Sequence, residues 1–452
     1  MTDKLLAWAD ESYRDAHAAF NQGLLKKAEG LARSLLAALP QHGGAALLMG
    51  LCALSLGRPQ EAVAWLDSCR DKVPEDGLRL AALGLARKAL GDLHGAIDAL
   101  STAASLMPRH ADVKVNLANL LQDCGEFEES LTFYRQAAAL DPCNAQLRYN
   151  LGMTLLTLGR FEEGWAEAEW RWKAAGLDLE RVDFQAPAWH GEEMVGRTLL
   201  LWAEQGLGDT IMFCRYVPLL AARGIKILLQ APRSLHPLLS SLKGLSGLYA
   251  EGDPLPPFDA HAPLLAVPGR MKTCLETIPG ETPYLHPPKD RLDFWRRELA
   301  GLEGVKAGLV WRGNPNHPND ANRSLSPALL TPLLNIKGID WMAIQPEAGA
   351  EALPMANAGP RLTHWGDTAG LLANLDLVIA VDTSTAHLAG ALARPCWLLL
   401  PALPDWRWMQ KRSDSPWYPT MTLFRQDAPG DWEGVVIRLG EALNGLPREK
   451  RQ

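Results

Sequence analysis

Three short stretches carry residue types at spacings that could do chemistry. The first is Asp382-Thr383-Ser384-Thr385-Ala386-His387, which ends an apolar run from Leu375 to Val381 and opens an Ala/Leu-rich segment of helical spacing. A strand, a tight turn and a helix in that order aim free backbone N–H groups at one point. The helix start also carries partial positive charge, so the arrangement suits a phosphate. The same residues would equally serve an ordinary strand–turn–helix unit, with Asp382 or Thr383 as N-cap. The second stretch is Glu204-Gln205-Gly206-Leu207-Gly208-Asp209, which follows the apolar run Arg197 to Ala203. Glycines there let backbone approach a ligand. Asp209, at a helix start, reads either as a carboxylate facing a cleft or as a residue favoured by the helix dipole. The third is the polar, helix-poor loop from Arg312 to Ser324, with Asn314, His317 and Arg323. A guanidinium can clamp phosphate oxygens, which makes Arg323 the most useful cation of that loop.

The elements that must position these residues can be read from the pattern. Gly-Leu-Gly is not the full dinucleotide fingerprint, and no acidic residue ends the next strand at 225–230. Further strands are expected at 247–250 and 262–267. The segment 283–297, with Pro287-Pro288, marks a boundary. Beyond it the pattern predicts a strand at 305–311, a helix at 326–335, a strand running to Gln345, a helix at 385–393, a strand at 396–400 and a closing helix at 431–444 that could pack back across the sheets. Alternating strands and helices argue for parallel sheets covered on both faces, with ligands bound beyond the carboxyl ends of the strands. The tryptophans of Pro404-Asp405-Trp406-Arg407-Trp408 and Ser415-Pro416-Trp417 read as packing residues more than as ligand-stacking ones.

The first third of the chain is a repeat. Gly23, Gly57, Gly91, Gly125 and Gly159 are spaced by 34, as are Pro40, Pro74, Pro108 and Pro142. Ala28, Ala62, Ala96 and Ser130 keep the same step, and Gly164 closes it. This is the tetratricopeptide pattern in five units: a glycine turn, small residues where two helices meet, and a proline that stops the second helix. Such units stack into a curved solenoid whose concave face binds partners. Asn116, Asn119 and Asn150 fall on the first helix of their units, and Asn116 and Asn150 are one period apart. They could form a short asparagine ladder for an extended peptide, or be plain solvated positions. After the repeats, Trp165, Trp170 and Trp172 argue for a face packed on the next domain. The expected division is a solenoid at 1–174, a connector at 175–195, a first sheet domain at 196–290 and a second at 291–452.

Composition bounds the function. The chain has 452 residues and a net charge of −7, which disfavours nucleic acid as a partner, and the basic end 448–451 reads as a solvated tail. Seven scattered cysteines without a CxxC pair read as reduced residues of a cytoplasmic protein. No signal pattern opens the sequence, and no run of about 18 apolar residues offers a membrane span. Neither an Asp-x-Asp loop nor a His/Cys cluster with ligand spacing is present, so no metal or cofactor is expected.

Two consecutive doubly wound sheets with a cleft between them resemble the GT-B architecture of glycosyltransferases. The strand–Gly-Leu-Gly208-Asp209 unit, together with Asp382-Thr383 and His387, looks like the ADP-heptose-type heptosyltransferases. The order solenoid then transferase resembles the bacterial tetratricopeptide glycosyltransferases, relatives of the O-linked N-acetylglucosamine transferases, some of which are thought to act on flagellin. The resemblance implies that Asp209 is the base on the acceptor hydroxyl. It places the donor's nucleotide diphosphate at Gly208, Asn314, His317, Arg323, Gln345, Asp382, Thr383, Ser384, Thr385 and His387. It also implies a protein or peptide acceptor on the concave face, at Asn116, Asn119 and Asn150. The chain departs from that family where Gly313-Asn314-Pro315 and a longer insert replace a Gly-Thr-Ser-Lys type of loop, and where Ser384 stands in place of Gly. Heptose is therefore not implied. A glycolipid or polysaccharide acceptor, an inactive scaffold, and pairing of the open solenoid with a second copy all stay open.

Overall fold

The structure is a computed structural model that describes residues 3–73, 76–177, 179, 182–345 and 353–447. Pro74 of the proline series and the basic end 448–451 lie outside the described residues. Helices α1 (Asp3–Asn21), α2 (Leu25–Ala38), α3 (Gly43–Ser55), α4 (Pro59–Ser68), α5 (Asp76–Ala89), α6 (Leu93–Leu106), α7 (Ala111–Asp123), α8 (Phe127–Leu140), α9 (Ala145–Thr157) and α10 (Phe161–Ala168) form five antiparallel pairs. The glycines spaced by 34 all turn within these pairs with φ between 72° and 83°, the left-handed region that a side chain resists. Pro40, Pro108 and Pro142 each follow the C-cap of α2, α6 and α8. The small residues do what their period implies: a Cβ on Gly50 or Gly84 would lie 2.6 Å from Leu66 or Leu100 of the paired helix.

By backbone contacts the chain divides after Thr154, inside α9, into units of 1–154 and 155–452. This division falls earlier than residue 174 for a physical reason. Phe161 and Trp165 of α10 pack their rings against Trp406 and Trp417, and the Trp165 indole N–H donates to the Thr273 carbonyl at 2.9 Å. Trp172 packs on Trp202. Of the tryptophans after the repeats, Trp165 is therefore buried in the α/β unit, while Trp170 and Trp172 are half-buried.

That unit holds two parallel sheets. The first contains β1 (Thr198–Trp202), β2 (Lys226–Gln230), β3 (Leu245–Tyr249) and β4 (Ala260–Pro263) in the order β3-β2-β1-β4. Between them run α11 (Leu207–Phe213), α12 (Tyr216–Ala222) and the single turn α13 (His236–Leu239). The helical stretch after Gly206 breaks at Cys214-Arg215, where the buried Arg215 side chain bonds the carbonyls of Met212, Pro279 and Trp417. The strand expected to reach Val267 stops at Pro263. Helical turns follow, including α14 (Val267–Arg270) with Pro268 in its first turn, where a proline fits.

After α15 (Lys289–Glu298), the second sheet contains β5 (Val305–Val310), β6 (Ile339–Ala343), β7 (Ala356–Asn357), β8 (Leu377–Val381), β9 (Cys396–Leu400) and β10 (Met421–Arg425). Its order is β10-β9-β8-β5-β6-β7, all parallel. The short helices α16 (Asp320–Arg323) and α17 (Thr331–Leu334), then α18 (Trp365–Ala373), α19 (Ser384–Ala391) and α20 (Trp432–Asn444), complete it. The β10 strand had no sequence expectation; of its five residues only Met421 and Leu423 are buried. Helix α20 does not bridge the two sheets. Its Trp432, Val435, Leu439 and Leu443 fill the core under the second sheet with Leu309, Ile379 and Leu330. Strand order reverses between β1 and β4 in the first sheet and between β5 and β8 in the second, and such switch points open a crevice at the strand ends.

Among the described residues no helix is long and apolar enough to cross a membrane.

Candidate functional site

The ends of β1, β5 and β8 meet at one cavity of about 530 Å³, a size typical of small-ligand sites. It is lined by Gly208 and Asp209 from the first sheet domain, and by Asn314, His317, Arg323, Gln345, Asp382, Thr383, Ser384, Thr385 and His387 from the second. Arg312, Trp365, Asp405 and Arg407 also line it, and none of these four figured in the sequence reading of the site.

Asp209 is the third residue of α11. Its Oδ2 accepts the Gly206 backbone N–H at 3.1 Å, so the carboxylate closes the start of its own helix. Its Oδ1 pairs with the Arg407 guanidinium, and the side chain is only 19% exposed. Burial pushes its pKa above the ordinary value, and Arg407 pulls it part of the way back. Gly208 lines the cavity and also serves helix packing. A Cβ there would lie 2.9 Å from His387 Cδ2, so this glycine lets α11 and α19 touch.

At β8 the chain turns through Asp382 and Thr383 into α19, the second strand–turn–helix unit. Thr383 is the N-cap residue, but its hydroxyl turns back to the Val381 carbonyl, and no side chain caps the helix. In the first turn of α19 the Ala386 N–H bonds the Thr383 carbonyl at 3.0 Å, while Ser384 and Thr385 line the cavity with no side-chain cap over them. Asp382 is raised by burial and by Asp405. His387 is buried. Its Nδ1 bonds the Tyr418 hydroxyl at 2.9 Å, its ring stacks on Trp408, and its Nε2 lies 4.0 Å from Asp382 Oδ1. Burial, then Arg407 and Arg215, hold its pKa well below the usual imidazole value, so it is a neutral polar wall and not a cation for phosphate.

Arg323 is a brace more than a free clamp. Its guanidinium donates to the Asp382 carbonyl at 3.0 Å and faces Asp320 Oδ1 at 3.4 Å, and it lies against Gly313, where a Cβ would collide with it. This ties the 312–324 loop to the β8 turn. The loop is ordered by its own side chains: Asn314 accepts from the Asn316 amide and His317 from the Asn319 amide. Burial and Arg323 lower the His317 pKa. Among the described residues, the exposed Arg312 is the cavity arginine with no acceptor. Gln345 is 5% exposed and lines the cavity, and its Oε1 has no partner among the described residues, so the amide oxygen can accept from a ligand there.

Arg407 is the central charge. Asp405 accepts from its backbone N–H at 3.0 Å and from its guanidinium at 2.8 Å. The guanidinium lies 4.4 Å over Trp406, and its Nε finds no acceptor among the described residues. The signal for it was an arginine between two tryptophans and two positions after an aspartate, a pattern that the bulk of the tryptophans masked. The tryptophans themselves are packing residues: Trp406, Trp408 and Trp417 are buried. Among the described residues no group of three His, Cys, Asp or Glu side chains converges as a metal site would require.

The asparagines of the helical unit are spent on each other. Asn150 donates to Asn119 Oδ1 at 3.3 Å, Tyr134 donates to the same oxygen, and Gln146 donates to Asn150 at 2.9 Å. Asn119 is thus the hydrogen-bonded neighbour of Asn150, a contact the repeat period alone does not give. Asn116, one period before Asn150, is half-buried.

Residues 6–76 match the tetratricopeptide repeat family and residues 118–159 the TPR repeat family. Protein FlbA of Caulobacter vibrioides is 28% identical over 312 residues, or 62% of this chain and 52% of that protein. The chain thus spans about half the length of that curated relative. Solved structures that resemble part of the chain include MamA, with a TM-score of 0.32 and 20% identity over 35% of this chain and 92% of that one. They also include YrrB, titled a TPR protein with an unusual peptide-binding site, with a TM-score of 0.32 and 17% identity over 37% of this chain and 86% of that one. The helical pairs that open this chain are tetratricopeptide repeats.

Proposed function

We propose that the chain is a glycosyltransferase that moves a sugar from a nucleotide-activated donor to a protein or peptide acceptor bound by the repeats. One observation carries the reading: a buried carboxylate from the first sheet and an uncapped helix start from the second line the same cavity. The donor's diphosphate suits the start of α19 and Arg312, and the Gln345 amide suits a hydroxyl or base N–H of the donor. In the transfer step the acceptor hydroxyl gives its proton to Asp209 and its oxygen bonds to the anomeric carbon. The carbon–oxygen bond to the diphosphate breaks, and its electron pair leaves on the phosphate oxygen. No metal is needed in this scheme. The resemblance of the paired motifs makes flagellin-type subunits the acceptor class to try first.

A thermal-shift panel of CMP, UDP, GDP, ADP and dTDP tests the donor half. At about 100 times its dissociation constant, the true nucleotide stabilises by roughly 2.7 kcal/mol, and Asp382→Ala loses the shift. A panel with no shift for any nucleotide would remove the donor reading and leave a partner-binding scaffold.

A further inference from the structure

Asp209 and Arg407 stand in a relation that the transfer scheme alone does not explain. A base must attract a proton, yet this carboxylate is neutralised by a guanidinium, with Oδ1 on Arg407 and Oδ2 on the Gly206 N–H. The ion pair takes back part of the basicity that burial confers on Asp209, and with one donor already on each oxygen an acceptor hydroxyl must compete for the remaining lone pairs.

We propose that Arg407 is shared between Asp209 and the donor's diphosphate, so that donor binding draws the guanidinium off the carboxylate and readies Asp209 for the acceptor. The inference rests on the donor reading above. Arg407 is suited to such a move. It is tethered on the side away from Asp209 by Asp405, which grips both its backbone N–H and one guanidinium nitrogen. It lies flat over Trp406, a surface along which a planar cation can slide. Its Nε has no acceptor among the described residues, so a hydrogen-bonding position is available for an incoming oxygen. A diphosphate offers bidentate oxygens that match a guanidinium as well as a carboxylate does. The competing charges around the guanidinium are Asp209, Asp382 and Asp405, with Arg323 and the neutral His387 nearby. Binding would then be ordered, donor before acceptor, and the base would be blocked against water until a donor is present.

The test is calorimetric titration of the full chain with the nucleoside diphosphate found in the panel, and separately with inorganic pyrophosphate. Asp209→Asn removes the charge that competes for Arg407 yet keeps an oxygen to cap Gly206. It is expected to bind both probes about tenfold tighter than wild type, because opposed charge no longer holds the guanidinium. Asp405→Asn, which frees the same guanidinium from its other side, is expected to shift in the same direction and stands in if the first variant does not fold. Arg407→Met should weaken both probes, and Arg407→Lys should restore part of the loss. Unchanged or weaker binding in both aspartate variants, with wild type still binding, overturns the shared-arginine inference and leaves the donor reading standing. Absence of binding in every protein overturns both.

Discussion

The two strand–turn–helix units that face each other across the cavity are built from the same parts and treat their helix starts in opposite ways. At the β1 turn the acidic residue lies inside the helix, and Asp209 caps α11 with its own carboxylate. At the β8 turn the acidic residue lies before the helix. Asp382 offers its carbonyl to Arg323, Thr383 turns its hydroxyl back to Val381, and α19 is left uncapped. A shift of a few residues in where the carboxylate stands therefore decides whether a helix start is closed and presents a base, or open and can receive an anion. The two units are pressed together by Gly208 against His387, so both outcomes are delivered to one cavity.

The largest effect should come from the closed unit. Asp209→Asn keeps the cap but cannot take a proton, so sugar transfer should fall about 10³-fold while donor binding is kept or strengthened. Initial rates of nucleoside diphosphate release, measured beside a melting curve, check this; a near wild-type rate would remove Asp209 from the role of base.

Closing the open unit is the converse. Thr383→Asp places a carboxylate at the α19 N-cap, as α11 already has one in its first turn. Like charge at the ligand should raise the dissociation constant for the nucleoside diphosphate about a hundredfold, while the added cap leaves the fold intact or firmer. Undiminished affinity would show that the diphosphate does not sit there.

The smallest effect is on stability against pH, and it sharpens the electrostatic side of the comparison. His387 is held neutral in the folded protein, with its pKa well below the ordinary value of about 6.5, so the unfolded chain binds more protons there. Its contribution to stability is complete above that value and falls as the pH drops through it, by at most about 1.4 kcal/mol per pH unit. Asp209 and Asp382 act in the opposite sense, since both are raised on folding and gain stability as the pH falls. The difference between wild type and His387→Gln isolates the histidine: chemical unfolding from pH 7 to pH 5 should show the wild type losing more stability than the variant. Parallel curves would mean that His387 is not held neutral.

Much of this was legible in the sequence. The period of 34 gives each glycine a left-handed turn and puts Pro40, Pro108 and Pro142 at helix ends, because those two residue types act locally and need no partner to be read. The apolar runs before Gly206 and Asp382 became buried strands, and the cavity gathers the polar residues that follow them. What could not be read were pairings between distant residues. Asp209 with Arg407 is a contact across 198 positions, and the Asn119–Asn150 bond depends on helix packing that a repeat period alone does not fix. The role of Arg323 as a brace was hidden for the same reason, since its partner is a carbonyl 59 positions away.

The central claim is that α19 begins at the donor's diphosphate while α11 does not. Hydrogen exchange of the full chain, with and without the nucleoside diphosphate, tests it directly through peptides covering 383–388 and 206–210. The account predicts slowed exchange at the start of α19 and little change at the start of α11, whose cap is already made. Protection confined to other segments, with the start of α19 unchanged, would contradict it.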